Sequence, residues 1–115
     1  MLMTGCKITT HILDTSRGTP AVQVKVKLER EKYFTWEAIA RGLTDSDGRL
    51  TTLTPDGIPP GHYRLSAAFG AWFAQQGISA LYGSAIIDFF VREEQDHLHL
   101  PLLINPYGWS TYQGS

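Results

Sequence analysis

The sequence predicts an all-β sandwich carrying one short helix. Three observations lead there. Apolar and polar residues alternate with a period of two in several runs, and turn-forming clusters separate these runs at short intervals. A single stretch follows helical spacing instead.

The first strand is expected over Lys7 to Leu13, where Ile8, Thr10 and Ile12 turn inward and Thr9 and His11 outward. Ser16-Arg17-Gly18-Thr19-Pro20 reads as a turn. The clearest alternation is Val22-Gln23-Val24-Lys25-Val26-Lys27-Leu28-Glu29, a strand with one wet face. Tyr33 to Ala40 and Arg49 to Leu53 are shorter candidates, the second preceded by the turn Asp45-Ser46-Asp47-Gly48. Pro55-Asp56-Gly57 and Pro59-Pro60-Gly61 then lead into Gly61 to Phe69, with Tyr63, Leu65, Ala67 and Phe69 on one face.

Phe69, Trp72 and Phe73 follow i, i+3, i+4 spacing, which predicts a short helix over Phe69 to Gln76, with Gly77 available to end it. Strands resume at Ser84 to Arg92. In the next, Leu98, Leu100, Leu102 and Ile104 share one face, and His97, His99 and Pro101 the other. Asn105-Pro106 turns the chain into a last strand over Tyr107 to Gln113. Residues 1–115 are expected to form a single domain, as a chain of this length buries one modest core.

Composition narrows the function. Ten Lys and Arg against eleven Asp and Glu leave a formal charge of −1, so no lopsided field exists to hold nucleic acid or an anionic membrane. The single Cys6 excludes an intrachain disulfide and a cysteine-rich zinc site. No segment reaches the roughly 18 consecutive apolar residues of a membrane helix. The N-terminal MLMTGCKITT lacks the pattern of a secretory signal, and the terminal QGS is not the peroxisomal tripeptide. A soluble cytoplasmic protein is expected.

A small sandwich fills its interior with side chains, so reactive groups must lie on an outer face, on loops or where subunits meet. His11 and His99 both point away from apolar rows, and neutral imidazole exchanges protons near pH 7. Arg49, at a turn-to-strand junction, offers a planar donor fork for a carbonyl or anionic oxygen. Taken singly, each also fits an ordinary solvated side chain, and His62 and His97 are read that way. Tyr112 and Ser115 fit ordinary chain-end residues as well.

Several segments occur together in a recognisable order. They are Thr9-Thr10-His11-Ile12-Leu13-Asp14-Thr15, Gly18-Thr19-Pro20-Ala21, Thr44-Asp45-Ser46-Asp47-Gly48-Arg49 and Gly61-His62-Tyr63, followed by His99-Leu100-Pro101-Leu102-Leu103 and Ser110-Thr111-Tyr112-Gln113-Gly114-Ser115. From Ile8 to Ser115 the chain resembles the transthyretin-related 5-hydroxyisourate hydrolases of purine catabolism. The series Asp14, Gly18, Pro20 and Val24, followed by Asp47-Gly48 and Gly61-His62-Tyr63, also occurs in sandwiches that only bind or brace. The specific combination is the T-T-H opening, the D-G-R turn, H-x-P-L-L and the Y-x-G-S end.

The resemblance implies a transthyretin (prealbumin)-like β-sandwich of two four-stranded sheets with one short helix. It also implies a homotetramer, a dimer of dimers, with sites in a channel between subunits. It assigns catalysis to His11, Arg49 and His99, and substrate binding to His11, Arg49, Tyr112 and Ser115. The implied reaction opens the ring of 5-hydroxyisourate, giving 2-oxo-4-hydroxy-4-carboxy-5-ureidoimidazoline, with no cofactor and no metal. Either histidine would serve as the base.

The chain departs from the family at Gln113, where the family ends Y-R-G-S, and at Leu81-Tyr82-Gly83, where it has an aromatic-Tyr-Pro run. Glutamine keeps hydrogen-bonding capacity but loses the charge and the fork. A transthyretin-like carrier of a small ligand is therefore the second expectation, and a structural module of a larger surface protein the third.

Overall fold

The structure, a computed structural model, describes residues 5–115. Residues 1–4, the start of the expected domain and of the N-terminal segment expected to carry no secretory signal, lie outside the described residues. Strand β1 (Lys7–Asp14) shows the expected alternation, with Ile8, Thr10, Ile12 and Asp14 all at most 1% exposed. Buried Thr10 donates its hydroxyl to the Leu100 carbonyl at 2.7 Å, which removes the cost of placing it among apolar neighbours.

The chain continues through β2 (Thr19–Pro20), β3 (Lys25–Lys32), β4 (Thr35–Leu43), β5 (Arg49–Leu50) and β6 (Gly61–Ala67). Helix α1 (Phe69–Ala74) follows, then β7 (Ala85–Val91), β8 (His97–Asn105) and β9 (Gly108–Thr111). One sheet runs β2-β1-β8-β9, with β5 also paired to β1, and the other β4-β3-β6-β7. The β1–β8 pairing is parallel; the remaining strand pairs are antiparallel.

One sheet therefore has five strands rather than the expected four. The addition is β2, which lies inside the expected turn, where Leu13 faces Pro20 and Asp14 faces Thr19. Buried Asp14 closes this hairpin by accepting from the Ser16 amide and hydroxyl, with Arg17 Nε at 3.2 Å. Gly18 supplies the left-handed residue, at φ 71°.

Other boundaries differ for local reasons. The strand expected from Val22 begins at Lys25, because Gln23 takes φ 67° and the Val22 carbonyl accepts from Trp72 Nε1. Tyr33 and Phe34 both have positive φ and form a tight exposed turn, so β4 starts two residues later than expected. The strand expected to Leu53 ends at Leu50. Helix α1 stops at Ala74, two residues early, and Gly77 at φ 75° lets the Ile78 amide return to the Phe73 carbonyl.

Between the sheets lies one apolar cluster built from Ile8, Ile12, Leu28, Leu65, Leu102 and Ile104 among others, closed at one end by Phe69 and Phe73 of α1. Tyr63 is fully buried there, its hydroxyl donating to the Pro59 carbonyl at 2.6 Å. No helix of the described residues is long and apolar enough to cross a membrane. With the interior filled, polar chemistry is left to the outer faces.

Candidate active site

Strand register brings the separated candidates onto the outer face of the five-stranded sheet. His11 on β1 lies opposite Arg49 of β5 on one side and Pro101 of β8 on the other. Two residues earlier, Thr9 lies opposite His99. Because β1 buries Ile8, Thr10 and Ile12, parity alone forces Thr9 and His11 outward. The same argument turns His97 and His99 out from Leu98 and Leu100.

The turn before β5 aims Arg49. Asp45 accepts hydrogen bonds from the Asp47 and Arg49 amides, each at 2.9 Å, and these bonds, led by that of Arg49, hold its carboxyl below the usual range. Gly48 takes φ 77°, and a Cβ there would lie 2.5 Å from the Ile12 carbonyl oxygen. The turn consequently packs against β1 beside His11. His11 Nε2 lies 2.9 Å from the Asp47 carbonyl oxygen. A carbonyl only accepts, so Nε2 carries the proton and neutral His11 keeps a free lone pair on Nδ1.

Thr9 Oγ1 lies 2.8 Å from His99 Nδ1 and 2.9 Å from His97 Nε2. A hydroxyl has one proton, so it donates to one ring and accepts from the other. The tautomers of His97 and His99 are thereby linked. Burial, then the nearby charges of His97, His11 and Arg49, lower the pKa of His99 below 6.5. The neutral ring therefore prevails near pH 7.

The last residues fold back over this face. The Gly114 amide donates to the His99 carbonyl at 2.8 Å, in the register that pairs Thr111 with Leu102. This brings Tyr112 level with Pro101, in the row of His11 and Arg49, while Ser115 follows Gly114 and is exposed. Pro101, expected outward, is outward yet buried, because Gly114 lies on it. A Cβ on Gly114 would stand 2.8 Å from His99 Cδ2 and 3.0 Å from Pro101 Cγ.

His11, Arg49 and His99 thus share one face, with Tyr112 and Ser115 at its C-terminal rim. His97, expected to be an ordinary solvated side chain, and Thr9 and Gly114, for which the sequence suggests no role, belong to this face as well. Their signal was parity with His11 and His99 and the small residue beside the tail. His62, also expected to be solvated, lies on the other sheet. No group of three or more His, Cys, Asp or Glu among the described residues is placed to hold a metal ion.

This is a two-sheet sandwich protein with a pair of imidazoles and a guanidinium on one outer face. The chain belongs to the HIUase/Transthyretin family, whose profile matches residues 8–114. A solved 5-hydroxyisourate hydrolase of Klebsiella pneumoniae is 46% identical, with a TM-score of 0.87 over 96% of this chain and 99% of that one. The 5-hydroxyisourate hydrolase of Caulobacter vibrioides is 38% identical over 112 residues, 94% of this chain and 97% of the relative. Sea bream transthyretin in complex with thyroxine is 31% identical, with a TM-score of 0.88 and 95% of each chain covered.

Proposed function

We propose that this protein hydrolyses 5-hydroxyisourate, opening its six-membered ring to 2-oxo-4-hydroxy-4-carboxy-5-ureidoimidazoline in urate degradation. The observation that carries the reading is the His11, Arg49 and His99 face, with His99 tied to Thr9 and favoured in its neutral form. Similarity to the two bacterial hydrolases supports the choice of substrate.

In this mechanism Thr9 donates to one ring nitrogen of the His97–His99 pair. When it donates to His97, His99 keeps its proton on Nδ1 and offers Nε2 as the base. That nitrogen takes a proton from water as the oxygen attacks a ring amide carbonyl. Arg49 holds the oxygen that gains negative charge in the tetrahedral intermediate. The carbon–nitrogen bond then breaks, the departing nitrogen takes the proton that His99 removed from water, and the carboxylic acid formed at the carbonyl carbon releases its own proton to solvent as a carboxylate. His11, fixed through Nε2 to the Asp47 carbonyl, presents Nδ1 to the substrate ring. Tyr112 and Ser115 bind at the rim.

The reading includes a homotetramer, a dimer of dimers, assembled over this face. In one chain the face is open, and Tyr112 at its rim is 58% exposed. A second copy laid across it would exclude water and strengthen each electrostatic contact. Cytoplasmic residence is part of the same proposal; the lone thiol of Cys6 is buried and free, so the fold needs no oxidising compartment.

A transthyretin-like carrier is the second reading, favoured by the likeness to sea bream transthyretin and by Gln113 in the tail. One experiment separates the two. 5-Hydroxyisourate is generated with urate oxidase and its absorbance decay followed with and without the protein. Accelerated decay is expected. Decay at the spontaneous rate would overturn the hydrolase reading in favour of the carrier.

A further inference from the structure

The outer face of the four-stranded sheet is polarised along its strands. The row Arg41, Lys27, Ser66 and Ile86 runs straight across it, each residue opposite the next. The adjacent row holds Leu43 opposite Lys25. Two rows further on stand Glu31 and His62, with Trp36 and Phe90 beside them. His62 contacts both Asp88 and Glu31, so the acids at that end are gathered around a basic ring. Cations dominate the first end; acids and aromatics dominate the second.

A groove of about 630 Å³ opens at the cationic end. Four cations line it, Lys25, Lys27, Arg41 and Arg64, against the single carboxylate of Glu29. Glu29 is already occupied, with Arg64 at 3.2 Å and Lys27 at 3.7 Å. Lys25 and Arg41 make no ion pair among the described residues, although they flank the same patch. Ile86 on β7, 50% exposed, supplies apolar surface at one edge of the groove, Ser66 supplies a hydroxyl between it and Lys27, and Leu43 on β4, 46% exposed, flanks the cations at the other edge. Unpaired cations beside exposed aliphatic side chains in one concavity match a ligand with both characters.

We propose that this groove binds a small amphipathic organic anion, a carboxylate or sulfonate carried on a flat apolar body of one or two rings. Arg41 and Lys25 hold the anionic group beside Leu43, and the ring body crosses Ser66 to reach Ile86 on β7. Asp88, opposite Arg64 and two residues from Ile86 on β7, repels the anion from that edge and so fixes its direction in the groove. This site is on the sheet opposite the His11, Arg49 and His99 face, and its existence does not depend on what reaction that face performs.

The test uses 2-naphthoate, with neutral 2-naphthamide as the control, followed by amide chemical shifts of the full-length protein. Saturable shifts centred on Lys25, Lys27, Arg41, Ser66 and Ile86 are expected with the carboxylate. The amide should bind at least about tenfold more weakly, since it cannot form the charge-assisted bonds. The double variant Lys25→Gln/Arg41→Gln, both exposed positions, should lose about tenfold in affinity while keeping its spectrum, its melting temperature and its decay of 5-hydroxyisourate. Shifts confined to the Thr9, His11 and His99 face would overturn the proposal. So would equal affinity for the amide, or for the double variant.

Discussion

Thr9 and His99, ninety positions apart, face each other across the parallel β1–β8 ladder, with the threonine hydroxyl 2.8 Å from Nδ1 of the imidazole. Because the same hydroxyl reaches His97, it decides which nitrogen of His99 bears the proton. Thr9→Val preserves shape and removes the hydroxyl. It is expected to lower kcat for 5-hydroxyisourate about tenfold, the effect of losing about 1 to 1.5 kcal/mol of positioning. KM should change little, and Thr9→Ser should restore the rate. Steady-state kinetics of the two variants checks this.

His99→Asn keeps a polar group on the same outward position and removes the base. Turnover is expected to fall by about 10² to 10⁴. The fold should persist, because the side chain lies outside the apolar cluster. Far-ultraviolet circular dichroism and the absorbance assay, run on the same sample, measure both halves of this expectation.

The two outer faces should titrate on opposite sides of pH 6.5. Hydrogen bonding to Asp88, followed by that to Glu31, raises the pKa of His62. Burial, followed by the charges of His97, His11 and Arg49, lowers that of His99. A raised folded value means that His62 contributes stability below the unfolded pKa and loses it as pH rises through the folded one. A lowered folded value means that His99 contributes fully above pH 6.5 and that its contribution fades as pH falls toward the folded value. Ring-proton titrations by NMR should show the two midpoints on either side of 6.5, and kcat/KM should decline on the acid side as His99 gains its proton. A shared midpoint for both rings would contradict the two environments.

Gly114→Ala inserts a methyl group where His99 Cδ2 and Pro101 Cγ already stand within 2.8 and 3.0 Å. The tail must lift from β8, carrying Tyr112 and Ser115 with it. A loss of activity of tenfold or more is expected, with a small change in melting temperature, because the tail covers the face rather than the core. A bulky C-terminal tag should act in the same direction.

Gln113 stands where the resemblance places an arginine. Gln113→Arg adds a fixed charge and a donor fork to an exposed rim position. Turnover is expected to rise, with a lower KM for the anionic substrate and greater sensitivity to salt. An unchanged rate at low ionic strength would show that the rim charge plays no part.

Much of the fold was legible because burial repeats every second residue. Ile8, Ile12, Leu98, Leu100, Leu102 and Ile104 announced their faces, and with them the outward placement of His11 and His99. The helix was legible in Phe69, Trp72 and Phe73. The misplaced starts of β3 and β4 share one cause: Gln23, Tyr33 and Phe34 adopt positive φ, which favours glycine and which their side chains do not advertise. Strand β2 was missed because two residues carry no period. The bulge on β4, where Leu28 faces Ala40 and Glu29 faces Ala38, interrupts alternation without any turn residue.

The sequence by itself determined which side chains leave the core, since strand parity is a local property of the backbone. It also carried the order of motifs that places the chain in its family. Only the tertiary structure decided that Thr9 serves two imidazoles, that Gly114 seats the tail on His99, and that Lys25, Lys27 and Arg41 converge on one groove. Those relations are set by register between strands far apart in the chain, and register depends on how the whole core packs rather than on any neighbouring residue.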